Sequence, residues 1–231
     1  NSNTSDNLSV SSFTIDTTPP TLDNVTIASD NTLNTTLAKT YDNITLSITS
    51  TETIQTPSVS ISGQAATVTG DNMTWSATYK MVEARDEGSV SLNIGFYDLA
   101  GNPGIAVTST TNGSAVRFDK TTPRLDNVTI ASNNSVSTLA KTGDNITLSI
   151  TSSEAIQTPS VSISGQAATV TGDNMTWSAA YTMTDSNTEG SVSLNIGFYD
   201  LAGNAGSAVD NTTDGSAVQF DRTSPVLQPV D

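Results

Sequence analysis

The 231-residue sequence contains no cysteine and no histidine. The first absence excludes disulfides, thiolate metal sites and cysteine nucleophiles. The second removes the Ser-His-Asp triad and imidazole metal ligands. Basic residues are scarce: Lys and Arg total 8 against 23 Asp and Glu, for a net charge of −15. So few cations in so acidic a chain exclude a phosphate-binding surface, and nucleic acid with it. No apolar run approaches the ~18 residues a membrane helix needs, so no membrane span is expected. Residues 1–20 lack the basic start and apolar centre of a signal peptide, which reads as a mature or excised segment.

What remains for chemistry is oxygen: carboxylates, amides and hydroxyls. That donor set suits hard cations, chiefly calcium. Only 13% of residues are charged, and the polarity comes from Ser, Thr and Asn, which favour strands and turns over helices. With 35% hydrophobic residues the chain still has enough apolar material for a core.

The chain is a tandem repeat. The run from Ile54 to Ala77 recurs letter for letter from Ile156 to Ala179, and Glu87–Asn102 recurs at Glu189–Asn204. Aspartates open three matching junctions: Asp16 in DTTPP, Asp119 in DKTTP and Asp221 in DRTSP. Phe13 and Ile15 match Val116 and Phe118, the residues just before Asp119. The expected organisation is therefore the last strand of a preceding repeat at 1–15, repeat one at 16–118, repeat two at 119–221, and the start of a following repeat at 222–231.

Each repeat alternates apolar and polar residues, as in Ile44, Leu46 and Ile48 or Val90, Leu92, Ile94 and Phe96. A period of two means strands with one buried and one wet face. Glycine-containing turns separate these runs at short spacing. The pattern predicts about seven strands, near 22–28, 43–50, 57–62, 65–69, 73–81, 89–97 and 105–118. Seven short antiparallel strands in about 100 residues predict an all-β chain of two tandem immunoglobulin-like β-sandwiches arranged end to end. A jelly roll or small barrel is the alternative. Trp75 and Trp177 fall on the apolar faces and read as core.

Three elements recur in order: Asp-x-Thr-x-Pro, an acid after the second strand (Thr51-Glu52, then Ser153-Glu154), and Asp-Leu-Ala-Gly-Asn before the last strand. This pattern, over residues 16–221, resembles the bacterial immunoglobulin-like repeats of giant cell-surface adhesins. The resemblance implies stalk or extender modules, exported outside the cell, with calcium at domain junctions. In a sandwich of that topology the start of strand one, the loop after strand two and the loop before the last strand share one pole. Asp16, Glu52, Asp98 and Asn102 should therefore converge, as should Asp119, Glu154, Asp200 and Asn204. Three carboxylates with amide and backbone oxygens could supply the six to eight ligands calcium takes. The plain alternative makes Asp-Leu-Ala-Gly-Asn a hairpin loop in which Gly101 and Gly203 supply positive φ.

The reading is a non-catalytic stalk whose partners are neighbouring repeats of the same chain, stiffened by calcium. One competitor is a structural subunit of a surface filament or surface layer, contacting other copies. Asn-x-Ser/Thr triplets repeated at Asn24 and Asn127, Asn43 and Asn145, and Asn72 and Asn174 would allow that surface to be glycosylated. A carbohydrate-binding module would need exposed aromatics, which are only 5% of the chain. An enzyme is the weakest class, since no cleft-sized insertion interrupts either repeat.

Overall fold

The computed structural model describes residues 14–227. The strand expected at 1–15 lies outside the described residues up to residue 13, as does the expected following repeat beyond residue 227. Among the described residues every regular element is a strand. The first copy holds β1 (Leu22–Ser29), β2 (Leu37–Ala38), β3 (Asn43–Ser50), β4 (Ser58–Ile61), β5 (Gln64–Ala65), β6 (Thr67–Asp71), β7 (Thr74–Lys80), β8 (Gly88–Ser89), β9 (Leu92–Gly95) and β10 (Arg117–Phe118). The second repeats them as β11 (Leu125–Ser132), β12 (Leu139–Ala140), β13 (Asn145–Ser152), β14 (Ser160–Ile163), β15 (Gln166–Ala167), β16 (Thr169–Asp173), β17 (Thr176–Thr182), β18 (Gly190–Ser191), β19 (Leu194–Gly197) and β20 (Gln219–Phe220). Two compact units result. One runs to Asp30 and resumes as Tyr41–Phe118, while the other comprises Asn31–Thr40 and the chain from Asp119.

In the second copy one sheet has the order β11-β13-β17-β16, and the facing layer holds β15-β14-β19 with β12-β20-β18. The isolated bridge between Ile196 and Val209 extends that layer, and β12 runs parallel to β20. First, second, fifth and fourth strands on one side, with third, sixth and seventh on the other, is the immunoglobulin-like order. The first copy repeats it, with β1-β3-β7-β6 opposite β5-β4-β9. The chain is thus all-β, in two tandem immunoglobulin-like sandwiches.

Alternation builds each core. On β13, Ile146, Leu148 and Ile150 are buried while their neighbours face outward or sit half-buried. They meet Ile163, Ile196, Phe198 and Phe220 from the facing layer. Trp75 and Trp177 are core residues at 7% exposure, and each indole N–H donates to the carbonyl of Asn72 or Asn174. β1 carries one extra residue against β3, Asp23 between Leu22 and Asn24, and β11 repeats the irregularity at Asp126. Such a bulge re-phases the strand so that Val25 and Ile27 turn inward.

The last strand departs from expectation. Instead of one strand over 105–118, only Arg117–Phe118 and a bridge at Val107 form. The intervening segment follows β1 but offers hydroxyl oxygens in place of carbonyl acceptors. Thr111 Oγ1 and Ser114 Oγ accept from the Val25 and Ile27 N–H groups, and Thr213 and Ser216 do the same for Val128 and Ile130. The outer edge of the first strand is satisfied without a regular ladder.

Gly206 lies against the Phe198 ring, where an added Cβ would stand 2.1 Å from Cε2. Because Phe198 is buried, the ring has little room to retreat. Gly206→Ala is expected to lower stability by about 1–3 kcal/mol, read as a lower urea midpoint at unchanged slope.

Candidate metal centre

Each copy gathers three carboxylates at one pole. Oxygens of Asp16, Glu52 and Asp98 lie within 4.8 Å of one another, and so do those of Asp119, Glu154 and Asp200. Three separate chain segments supply them: the lead into the first strand, the loop after the second, and the loop before the last. Asp98 and Asp200 are each only 1% exposed, Glu52 and Glu154 are half-buried, and Asp16 is exposed.

The buried aspartate organises its loop. Asp98 Oδ1 accepts from the Gly101 and Asn102 N–H groups at 2.6 and 2.7 Å. Asn102 Nδ2 donates to Asp98 Oδ2 at 2.7 Å and to the Asp16 carbonyl at 3.0 Å. Asn204 repeats this with Asp200 Oδ2 at 2.7 Å and the Asp119 carbonyl at 3.0 Å. Gly101 and Gly203 take φ of +97° and +90°, which a glycine adopts at no steric cost. The hairpin-loop reading and the acid cluster are therefore compatible, because the same aspartate does both jobs.

Sequence reasoning brought all eight residues to two sites, and the structure places four together in each copy. It adds a detail to Asn102 and Asn204: their amide nitrogens face the acid and the junction carbonyl, so they position the loop. Residues not singled out from sequence also support the site. Gln55 and Gln157 donate from Nε2 to the carbonyls of Asp98 and Asp200 at 2.7 and 2.6 Å. Buried Ser50 and Ser152 donate to the carbonyls of Glu52 and Glu154, fixing the acid-bearing turn. The repeated Ser two residues before Glu was the available signal.

Electrostatics keep the buried acid ionised. Burial pushes the Asp98 carboxyl up, but hydrogen bonds from the Asn102 side chain and from the Asn102, Gly101 and Ala100 N–H groups together bring it below its ordinary value. Asp144, outside the clusters, shows the alternative of a basic partner. Hydrogen bonds from the Lys141 ammonium, the Asn134 side chain and the Lys141 N–H lower it to about 2. Two carboxylate oxygens on one calcium, each 2.3–2.6 Å from the ion, are at most about 5 Å apart. A spread within 4.8 Å fits that reach.

No protein family model and no curated protein matches the chain. Among solved structures it is similar to the fibronectin(III)-like modules of Clostridium thermocellum CbhA, at 11% identity and TM-score 0.39 over 85% of this chain and 93% of that one. It is similar to a three-immunoglobulin-domain variant of titin, at 11% identity and TM-score 0.46 over 88% of this chain and 65% of that one. It is also similar to a Bacteroides ovatus glucan-utilization protein solved with a mixed-linkage heptasaccharide, at 16% identity and TM-score 0.21 over 80% of this chain and 39% of that one. The fold assignment rests on the strand order, not on these likenesses. No helix of the described residues is long and apolar enough to cross a membrane.

Asn102→Ala removes a hydrogen bond that favours the Asp98 carboxylate. The Asp98 titration midpoint, followed by carboxyl carbon NMR, is expected below 3.8 in the parent and higher in the variant. Asp144 gives a stability test. Its folded pKa is depressed, so its contribution is fully present above the unfolded value near 3.8 and is lost as pH falls towards about 2. Urea unfolding of the parent and Asp144→Asn should differ by a constant amount above pH 5, and the difference should shrink between pH 4 and 2.

Proposed function

We propose that the chain is a non-catalytic, extracellular stalk segment of a large cell-surface adhesin, stiffened by calcium held in each copy. The observation that carries this reading is the pair of three-carboxylate clusters, each including the aspartate that opens an Asp-x-Thr-x-Pro lead. Asp16, Glu52 and Asp98 would hold one ion, and Asp119, Glu154 and Asp200 the other. Asn102 and Asn204 would act through the acids and carbonyls they grip.

The lead Asp119-Lys120-Thr121-Thr122-Pro123 explains why a cation there would matter. Pro123 fixes its own φ and biases Thr122 to an extended form, so little slack remains. Like charges at Asp119, Glu154 and Asp200 oppose closure of the lead against its sandwich. A divalent cation reverses that sign and ties the lead down, narrowing the range of angles between neighbouring modules. Outside the cell, where calcium is plentiful, such an array would extend. The acidic, Ser- and Thr-rich surface keeps it soluble and resists lateral sticking. A sugar-stacking role gains nothing from Trp75 and Trp177, whose rings are in the cores.

A cation bound only by the native state raises stability by mass action, about 2.7 kcal/mol at a hundred times its dissociation constant. For a domain of this size that is roughly 10 °C or more in Tm. Calorimetry should show this rise with calcium and its reversal by EDTA, and Asp200→Ala should abolish the response of the second copy. An unchanged Tm in the parent would reject the cation. Small-angle scattering should give a longer, narrower distance distribution with calcium at an unchanged β signal in circular dichroism. Identical curves would remove the stiffening role.

A further inference from the structure

Asparagine followed directly by glycine occurs once in the chain, at Asn112-Gly113. Both residues are exposed, in the loop that leads to β10. The Ser114 N–H donates to Asn112 Oδ1 at 3.0 Å, which folds the carboxamide back over the turn and draws electron density from its carbon. Gly113 has a φ of +74° and open space where a side chain would stand. Among the described residues its N–H is given to no acceptor. An electrophilic carbon and an unengaged nitrogen thus share one open turn. Other exposed asparagines, such as Asn34, Asn72 and Asn211, are followed by Thr or Met, whose side chains crowd the next nitrogen.

The second copy already holds the product that this arrangement would give. Asp214-Gly215 stands where the first copy has Asn112-Gly113. Asp214 Oδ1 accepts from the Ser216 N–H at 2.9 Å, and Gly215 also has a φ of +74°. The Thr110 and Thr212 hydroxyls brace the two turns alike, donating to the Ser114 and Ser216 carbonyls at 2.7 Å. A carboxylate therefore fits this turn without altering it. The turn matters because it presents Ser114, whose Oγ accepts from the Ile27 N–H at 3.0 Å on the outer edge of β1.

We propose that Asn112 is a self-modifying site, converted by water alone to aspartate and isoaspartate. The Gly113 nitrogen loses its proton and attacks Asn112 Cγ. The bond from Cγ to the amide nitrogen breaks, ammonia leaves, and a cyclic imide remains. Water then opens the imide at one of its carbonyls. The net change is one water taken up and one ammonia released, with no oxidant or cofactor. Opening at Cγ restores the main chain and gives the turn seen at Asp214. Opening at the backbone carbonyl leaves the chain running through Cβ and Cγ, one methylene longer. That extra length carries Ser114 away from Ile27, and β1 loses an acceptor at its outer edge.

Incubation of the whole chain at about 37 °C and about pH 8 tests this. The intact mass should rise by about 1 Da, and peptide mapping should place the whole gain at residue 112. The rate should climb roughly tenfold per pH unit, because the deprotonated nitrogen is the one that attacks. Asn112→Gln should keep its mass over the same interval. Asn112→Asp should keep the parent's circular dichroism. An isoaspartyl methyltransferase should label the incubated parent. The isoaspartyl fraction, separated by ion exchange, should exchange the Ile27 N–H about tenfold faster than the Asn112→Asp variant. A parent of constant mass, a gain placed at another asparagine, a gain that survives Asn112→Gln, or an isoaspartyl fraction with unaltered Ile27 exchange would overturn the proposal.

Discussion

One buried carboxylate per copy is the constraint on which the pole of each sandwich depends. Asp200 has almost no contact with solvent, so its oxygens must find partners inside the fold. They do so by accepting hydrogen bonds from its own loop and from Asn204. That bonding sets the loop's shape. The shape aims Asn204 at the Asp119 carbonyl, and so joins the last loop to the lead into the first strand. Replacing the aspartate would leave the loop's N–H groups and the asparagine without their common acceptor, and the lead would lose its anchor. Asp98 does the same for Asp16 in the first copy.

Much of this was legible in the sequence because it follows from two simple periodicities. Alternation located the strands that bury one face, such as Ile44 to Ile48, and the long repeat showed that the same sandwich occurs twice. The convergence of the acids was legible by topology, since three loops of such a sandwich share a pole. Other parts were hidden because they depend on side chains substituting for backbone. Nothing in Thr108 to Ser114 distinguishes a strand from a segment whose hydroxyls cap a neighbour's amides. The bulge at Asp23 was equally invisible, since one extra residue in an alternating run leaves the composition unchanged. Asn102 was legible as a polar neighbour of the acids, but which of its two amide atoms faced them was not.

Near-identical copies also show which differences are tolerated. Tyr41 takes a φ of +79° where the second copy has Gly143 at +89°. A bulky side chain in that region costs roughly 1–2 kcal/mol. Part of the cost is offset by Lys80, whose ammonium lies 5.3 Å from the Tyr41 ring centroid. The backbone path is therefore dictated by the sandwich, and the residue adapts to it.

The Asp-Leu-Ala-Gly-Asn loop is ordered before any ligand arrives. Its turn is held by hydrogen bonds from Gly101 and Asn102 to Asp98. A cation reaching the aspartate would therefore meet a carboxylate already aimed, and would lose little conformational entropy in ordering that turn. Asp16, in the lead, is the exposed member of the first cluster. The lead is tied to the loop only through the Asn102 bond to the Asp16 carbonyl, so it is the part a cation has left to order. The free energy of binding would then act on the lead and leave the sandwich as it is.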